Sequence, residues 1–122
     1  MFPTVLVFLG GGIGSALRYG VNVAAVRIFG LAFPVGTLTV NIVGSFVMGL
    51  LAAYFAPKGE AAQAWRIFFM TGVLGGYTTF SAFSLDTAYL YERGQPVVAL
   101  LYVLVSVAGS LAAVFLGLML MR

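Results

Sequence analysis

Gly72-Val73-Leu74-Gly75-Gly76-Tyr77-Thr78-Thr79-Phe80-Ser81-Ala82-Phe83-Ser84 is the stretch on which the reading of this chain turns. It lies inside a long apolar run, from about Arg66 to Tyr91, yet it is poor helix interior. Two adjacent glycines make the backbone costly to order, and two β-branched threonines follow them. The run holds about 26 residues, or roughly 39 Å if fully helical. A bilayer hydrocarbon core is thinner, at about 30 Å. A break near the middle would free backbone carbonyls at membrane depth, which is tolerated only where protein buries them or they line a cavity. In transporters, unwound carbonyls of this kind coordinate Na⁺. A simple packing kink is the alternative.

The rest of the chain makes lipid the solvent. Of 122 residues, 62% are apolar and 7% charged, with a mean hydropathy of +1.12. A soluble domain runs at roughly 45–50% apolar and about 25% charged. Besides the run at 66–91, three segments are long enough to cross a bilayer: about Thr4 to Val26, Pro34 to Ala56, and Val97 to Met121. The breaks carry loop signals: Arg27 to Phe33 with Gly30 inside, Pro57-Lys58-Gly59-Glu60, and Glu92-Arg93-Gly94-Gln95-Pro96. Pro34 suits a helix start, where its missing N–H would be unpaired anyway. The expectation is one all-α integral membrane domain over residues 1–122, with four transmembrane helices and the third broken near its middle. No basic stretch precedes the first apolar run, so no cleaved signal peptide is expected.

Composition also excludes chemistry. There is no His and no Cys, which removes the usual zinc sites, thiolate nucleophiles, disulfides and a Ser-His-Asp triad. No convincing nucleophile–base pair remains, so an enzyme is not expected. Six basic residues scattered through apolar sequence argue against nucleic-acid binding. The run from Gly10 misses G-x-G-x-x-G because position 15 is Ser, and no strand pattern precedes it. Orientation should follow Lys and Arg in short loops. With four spans, Lys58, Arg66 and Arg122 fall on one side and Arg27 and Arg93 on the other, with Arg18 deeper in the first span. So even a split is either chance in a short chain or a mark of insertion in both orientations, with antiparallel self-pairing.

Polar residues at membrane depth normally face a bundle interior or a water-filled cavity. Gly11, Ser15, Arg18 and Asn22 share one face of the first span, with the Gly10/Gly14 pair beside it suited to close helix contact. Arg18 either snorkels to the interface or has a structural or vestibule role. In the second span Thr37, Asn41 and Ser45 fall at i, i+4 and i+8. Asn41 is the notable one, because its two donors and its acceptor all need partners near mid-membrane. It is read as lining a polar path, whereas Thr37 and Ser45 are equally well read as interhelical glue. Tyr102, Ser106 and Ser110 repeat the spacing in the fourth span, either as a hydrogen-bonding track or as packing. Phe80 and Phe83 share a face after the suspected break. Their positive ring edges suit a partly dehydrated anion, although Phe in a membrane helix commonly faces lipid or packs.

Three pieces together resemble the CrcB/Fluc fluoride channel family: Gly11-Gly12-Ile13-Gly14-Ser15-Ala16-Leu17-Arg18-Tyr19, Gly36-Thr37-Leu38-Thr39-Val40-Asn41-Ile42-Val43-Gly44-Ser45-Phe46, and the segment Gly75 to Ser84. The resemblance covers three spans by motif and the whole chain by length and layout. It implies a fluoride channel for passive export, built as a dual-topology, antiparallel homodimer with two pores in the cell inner membrane. It further implies a structural Na⁺ at the dimer centre, held by the backbone carbonyls of Gly75 and Thr78. The family's pore asparagine falls on Asn41 and its paired phenylalanines on Phe80 and Phe83. Tyr102, Ser106 and Ser110 match its hydroxyl track by spacing. The commonest form of the third motif has Thr where this chain has Ala82.

Two other classes compete. A small multidrug-resistance exporter shares the size and span number but needs a carboxylate in its first span. Here the first acidic residue is Glu60, in a loop, and Asp86 is the only acid inside an expected span. A purely structural assembly subunit would explain the small-residue stripes but neither the mid-span Gly-Gly nor Asn41.

Overall fold

A computed structural model describes residues 2–122. Every regular element among the described residues is helical. Helix α1 (Phe2–Phe29) runs unbroken for 28 residues. It stops at Gly30, whose φ of 79° turns the chain left-handed while its N–H still donates to the Val26 carbonyl at 2.8 Å. A glycine in this conformation is a common helix terminator because it carries no Cβ to clash. Helix α2 (Val35–Phe55) follows Pro34. A 3₁₀ segment, Ala56–Ala62, holds Pro57 in its first turn and Gly59 at positive φ.

Beyond this turn the backbone changes character repeatedly. Short helix α3 (Gln63–Arg66) leads into an eight-residue π-helix, Ile67–Leu74, and then into α4 (Gly75–Tyr77). Helical geometry stops there. Thr78 (φ −87°, ψ 160°) and Thr79 (φ −154°, ψ 126°) are extended. Helix α5 (Phe80–Glu92) restarts at once, and α6 (Pro96–Met121) closes the chain after Gly94, which again has positive φ.

The observed ends agree closely with the loop signals. Within the 66–91 run the helix stops at the threonines of the quoted stretch and not at its glycines. Gly75 is itself helical (φ −60°, ψ −38°), and the extended residues are the two threonines. The glycines serve a different purpose. A Cβ on Gly76 would overlap the Gly11 carbonyl oxygen and one on Gly14 the Val73 carbonyl oxygen, so this stretch lies backbone to backbone against α1. Small residues that let helices approach this closely are the usual basis of packing in lipid, where apolar burial drives little. Nothing in the sequence pattern pointed to the π-helix.

A second glycine contact joins α2 to α6. Cβ atoms on Gly49 and Gly117 would meet the Val114 and Phe46 carbonyl oxygens. A buried apolar cluster, Phe83, Leu90, Ala99 and Tyr102, lies where α5 packs on α6, with Phe33, Leu38, Val98 and Val103 against it. Elsewhere large apolar side chains such as Phe8, Leu100, Phe115 and Met119 face outward. Three stretches are long and apolar enough to enter a bilayer: Phe2–Phe29, Val35–Glu92 and Pro96–Met121. The middle one, at 58 residues, does not run straight. Arg66 near its midpoint donates to the Phe55 carbonyl and, at 2.9 Å, to that of Gly59, tying α3 back to the end of α2.

Candidate functional site

The two extended threonines have a specific cause. Asn41, in the second turn of α2, faces Thr79 and bonds its backbone twice: Nδ2 donates to the Thr79 carbonyl at 3.0 Å, and Oδ1 accepts the Thr79 N–H at 2.8 Å. The side-chain amide thus acts as a single rung of sheet for a backbone that has left the helix. Thr79 Oγ1 then accepts the Ala82 N–H at 3.1 Å and caps the N-terminus of α5, which satisfies a donor that a helix start leaves orphaned. On the other side, the Thr78 N–H and Thr78 Oγ1 both donate to the Leu74 carbonyl at 3.0 Å. Asn41, Leu74 and Thr79 thus satisfy much of the break, while the Gly75 and Thr78 carbonyls are left without their helical donors, which backbone at membrane depth tolerates only beside protein or a cavity.

A groove of about 450 Å³ opens beside it, lined by Asn41, Thr78, Phe80, Phe83, Ser106 and Ser110, with Ser45 and Met48 at its margin. Its two phenylalanines differ in setting. Phe80 is 78% exposed and Phe83 only 9%, with ring centroids 5.6 Å apart and planes inclined at 54°. Ser106 is buried, and among the described residues its Oγ has no hydrogen-bond partner. A buried hydroxyl without a partner costs free energy, and this one is shielded from the groove that its residue helps to line.

Tyr102 and Thr37 belong elsewhere. Tyr102 is fully buried, its ring against Phe83 (centroids 5.3 Å apart) and edge-on to Phe33. Its hydroxyl donates to Asp86 Oδ2 at 3.2 Å. Asp86 and buried Thr37 line a second hollow of about 520 Å³, which also takes in Asn22, Ala82 and Arg93. Tyr102 thus lines neither hollow but sits between them, its ring packed on Phe83 of one and Phe33 of the other. Arg18 and Gly75 line neither. Arg18 instead donates from Nε to the Gly76 carbonyl at 3.0 Å.

Residue reasoning thus named five of the groove's side chains but overlooked Thr79, the hinge of the whole arrangement. A capping signal was present in a Thr placed directly before the apolar run at Phe80. Asp86 was noted only as the sole acid in a span. Its partner Tyr102 lies 16 residues away, a pairing no local pattern reveals.

The family described as CrcB-like protein, Camphor Resistance (CrcB), matches residues 5–118 of this chain. The chain belongs to the CrcB family. Among CrcB-type relatives, a Nitrobacter hamburgensis protein named fluoride-specific ion channel FluC 2 is 58% identical over 118 residues, covering 97% of this chain and 95% of its own length. A Rhodopseudomonas palustris protein named fluoride-specific ion channel FluC is also 58% identical over 118 residues, with the same coverage of both chains. One from Methylobacterium nodulans, with that same name, is 53% identical over 122 residues, all of this chain and 98% of its own. As a CrcB-family member with long apolar helices, the chain is a multi-pass membrane protein and not an enzyme.

Proposed function

We propose that this chain is a fluoride-selective channel that lets fluoride leave the cell passively across the inner membrane. It crosses the bilayer four times, the 58-residue stretch accounting for two crossings, and the second of these is interrupted at Thr78–Thr79. Two copies pair antiparallel and complete two pores. The observation that carries this reading is the groove at the interruption. It collects an amide, hydroxyls and two aromatic rings along one polar line in otherwise apolar helices. The names of the relatives support the choice of ion.

The chemistry of the groove suits a small, strongly hydrated anion. Fluoride holds its water tightly, so a dry apolar passage would stop it. Conduction needs donors that replace the hydration shell while each site stays weak enough to leave. Asn41 has one Nδ2 hydrogen left after its bond to Thr79. Ser110 offers a hydroxyl, and the shielded, unpartnered hydroxyl of Ser106 is a second once a small shift uncovers it. The rings of Phe80 and Phe83 add positive edges. Thr37 and Tyr102 act before this point, because Thr37 faces the other hollow and the Tyr102 hydroxyl is taken up by Asp86.

The main-chain oxygens of Gly75 and Thr78 suit a hard cation such as Na⁺. Thr79 N–H, the next-turn donor for the Gly75 carbonyl, is bound by Asn41. Ala82 N–H, the corresponding donor for Thr78, is bound by Thr79 Oγ1. Both carbonyls thereby lose their regular helical partners, and oxygen ligands of this kind are what Na⁺ takes at helix breaks. A bound Na⁺ supplies positive charge near the anion path and a link between the two copies. Asn41 and Thr79 keep the two oxygens available.

Efflux from liposomes reconstituted with the purified chain tests the reading directly. Fluoride should escape and chloride should be retained. Equal release of both ions would defeat the proposed selectivity, and release of neither would defeat the channel itself.

A further inference from the structure

The carbonyls on either side of Gly75 are both occupied, and one of them by a charge. Leu74 accepts two bonds from Thr78. Gly76 accepts from Arg18, 58 residues earlier in the chain. Between them, Gly75 has lost its next-turn donor to Asn41. We infer that Arg18 is a positioning residue for the cation site: it holds the Gly76 carbonyl out of the oxygen set and leaves Gly75 and Thr78 to form it. This rests on the Na⁺ reading of those two carbonyls.

The physical argument runs from helix ends. The last carbonyls of a helix have no intrahelical donors, and a basic side chain there bonds them and complements the dipole. Arg18 can do this because the backbones of α1 and α4 touch. Gly11 and Ser15, on its own face of α1, are the groups a Cβ on Gly76 would strike. The guanidinium keeps its charge in almost any setting, so the Gly76 oxygen stays engaged and a positive charge stays beside the site. Removing Arg18 would leave that oxygen unpaired within the protein, where a bound cation becomes its best partner. An added oxygen makes the site more accommodating to a larger ion, whereas the lost charge acts on both ions alike, so discrimination between Na⁺ and K⁺ should fall.

The test reads cation binding rather than flux. The purified full-length chain is unfolded thermally in detergent while Na⁺ or K⁺ replaces N-methylglucamine, and half-saturating concentrations are taken from the rise in midpoint. The native chain should need far less Na⁺ than K⁺. Arg18→Met keeps much of the apolar stem and removes the donor, and should lower the K⁺/Na⁺ ratio roughly tenfold, the scale of one lost charge-assisted hydrogen bond. Arg18→Gln retains a donor and should restore most of the ratio. A merely structural arginine would lower all midpoints alike and leave the ratio unchanged, and that result in Arg18→Met would overturn the assignment. Should Arg18→Met fail to fold, Arg18→Ala decides by the same readout: a lowered ratio supports the assignment and a native one overturns it. Equal Na⁺ and K⁺ requirements in the native chain would instead remove the Na⁺ reading, and this one with it.

Discussion

Asn41 uses both ends of its amide on one residue, and that fixes what neighbouring side chains can do. With its carbonyl and one N–H bound to Thr79, it presents a single hydrogen to the groove. The phenylalanines must then supply much of the remaining electropositive lining. Phe80→Ile and Phe83→Ile keep much of the apolar volume and remove the ring edges. Each should cut fluoride efflux from liposomes by about tenfold or more, since a loss of about 1.4 kcal/mol at the barrier already gives that factor. The two should separate in stability. Phe80 is largely exposed and its replacement should leave the unfolding midpoint unchanged, whereas Phe83 packs on Tyr102 and its replacement should cost about 1–3 kcal/mol. Native flux in both variants would remove the rings from the conduction path.

At the scale of elements, close glycine contacts decide which helices stay together. Gly49 and Gly117 bring α2 and α6 within backbone contact, and a Cβ on Gly49 would overlap the Val114 carbonyl oxygen. Gly49→Val should therefore force the pair apart and sharply reduce the yield of folded protein, measured as monodisperse material on size-exclusion chromatography. Helix ends were legible beforehand because their causes are local: Gly30, Pro34, Pro57, Gly94 and Pro96 act within one turn of where they stand. The interruption was legible only as a region. The two glycines and two threonines marked the stretch together, but not that the backbone leaves the helix at the threonines, where Asn41, 38 residues away, offers it bonds. The groove was legible by face, since Asn41, Ser106 and Ser110 fall on helical spacings. It was not legible that Thr37 lines the other hollow and that Tyr102 is buried between the two, because that depends on how the helices pack. The partner of Arg18 was beyond any local pattern for the same reason.

For the whole molecule, the charge pattern is the controlling quantity. Six basic residues divide almost evenly between the two expected sides, and loop Lys and Arg set orientation. Two added lysines in the Ala56–Ala62 turn should drive every copy into one orientation. Fluoride flux should then vanish and return on coexpression with a chain biased the other way. Flux from copies shown to insert one way only would refute antiparallel pairing. The π-helix at Ile67–Leu74 carries a consequence of another kind, for how chains of this shape can differ in length. Deleting a residue from an ordinary transmembrane helix rotates everything beyond it by about 100° and turns its lining outward. A π-helix already holds more residues per turn than its neighbours, so it can give one up by tightening to α geometry. Ile67–Leu74 is thus where the loss of one residue should disturb the groove least.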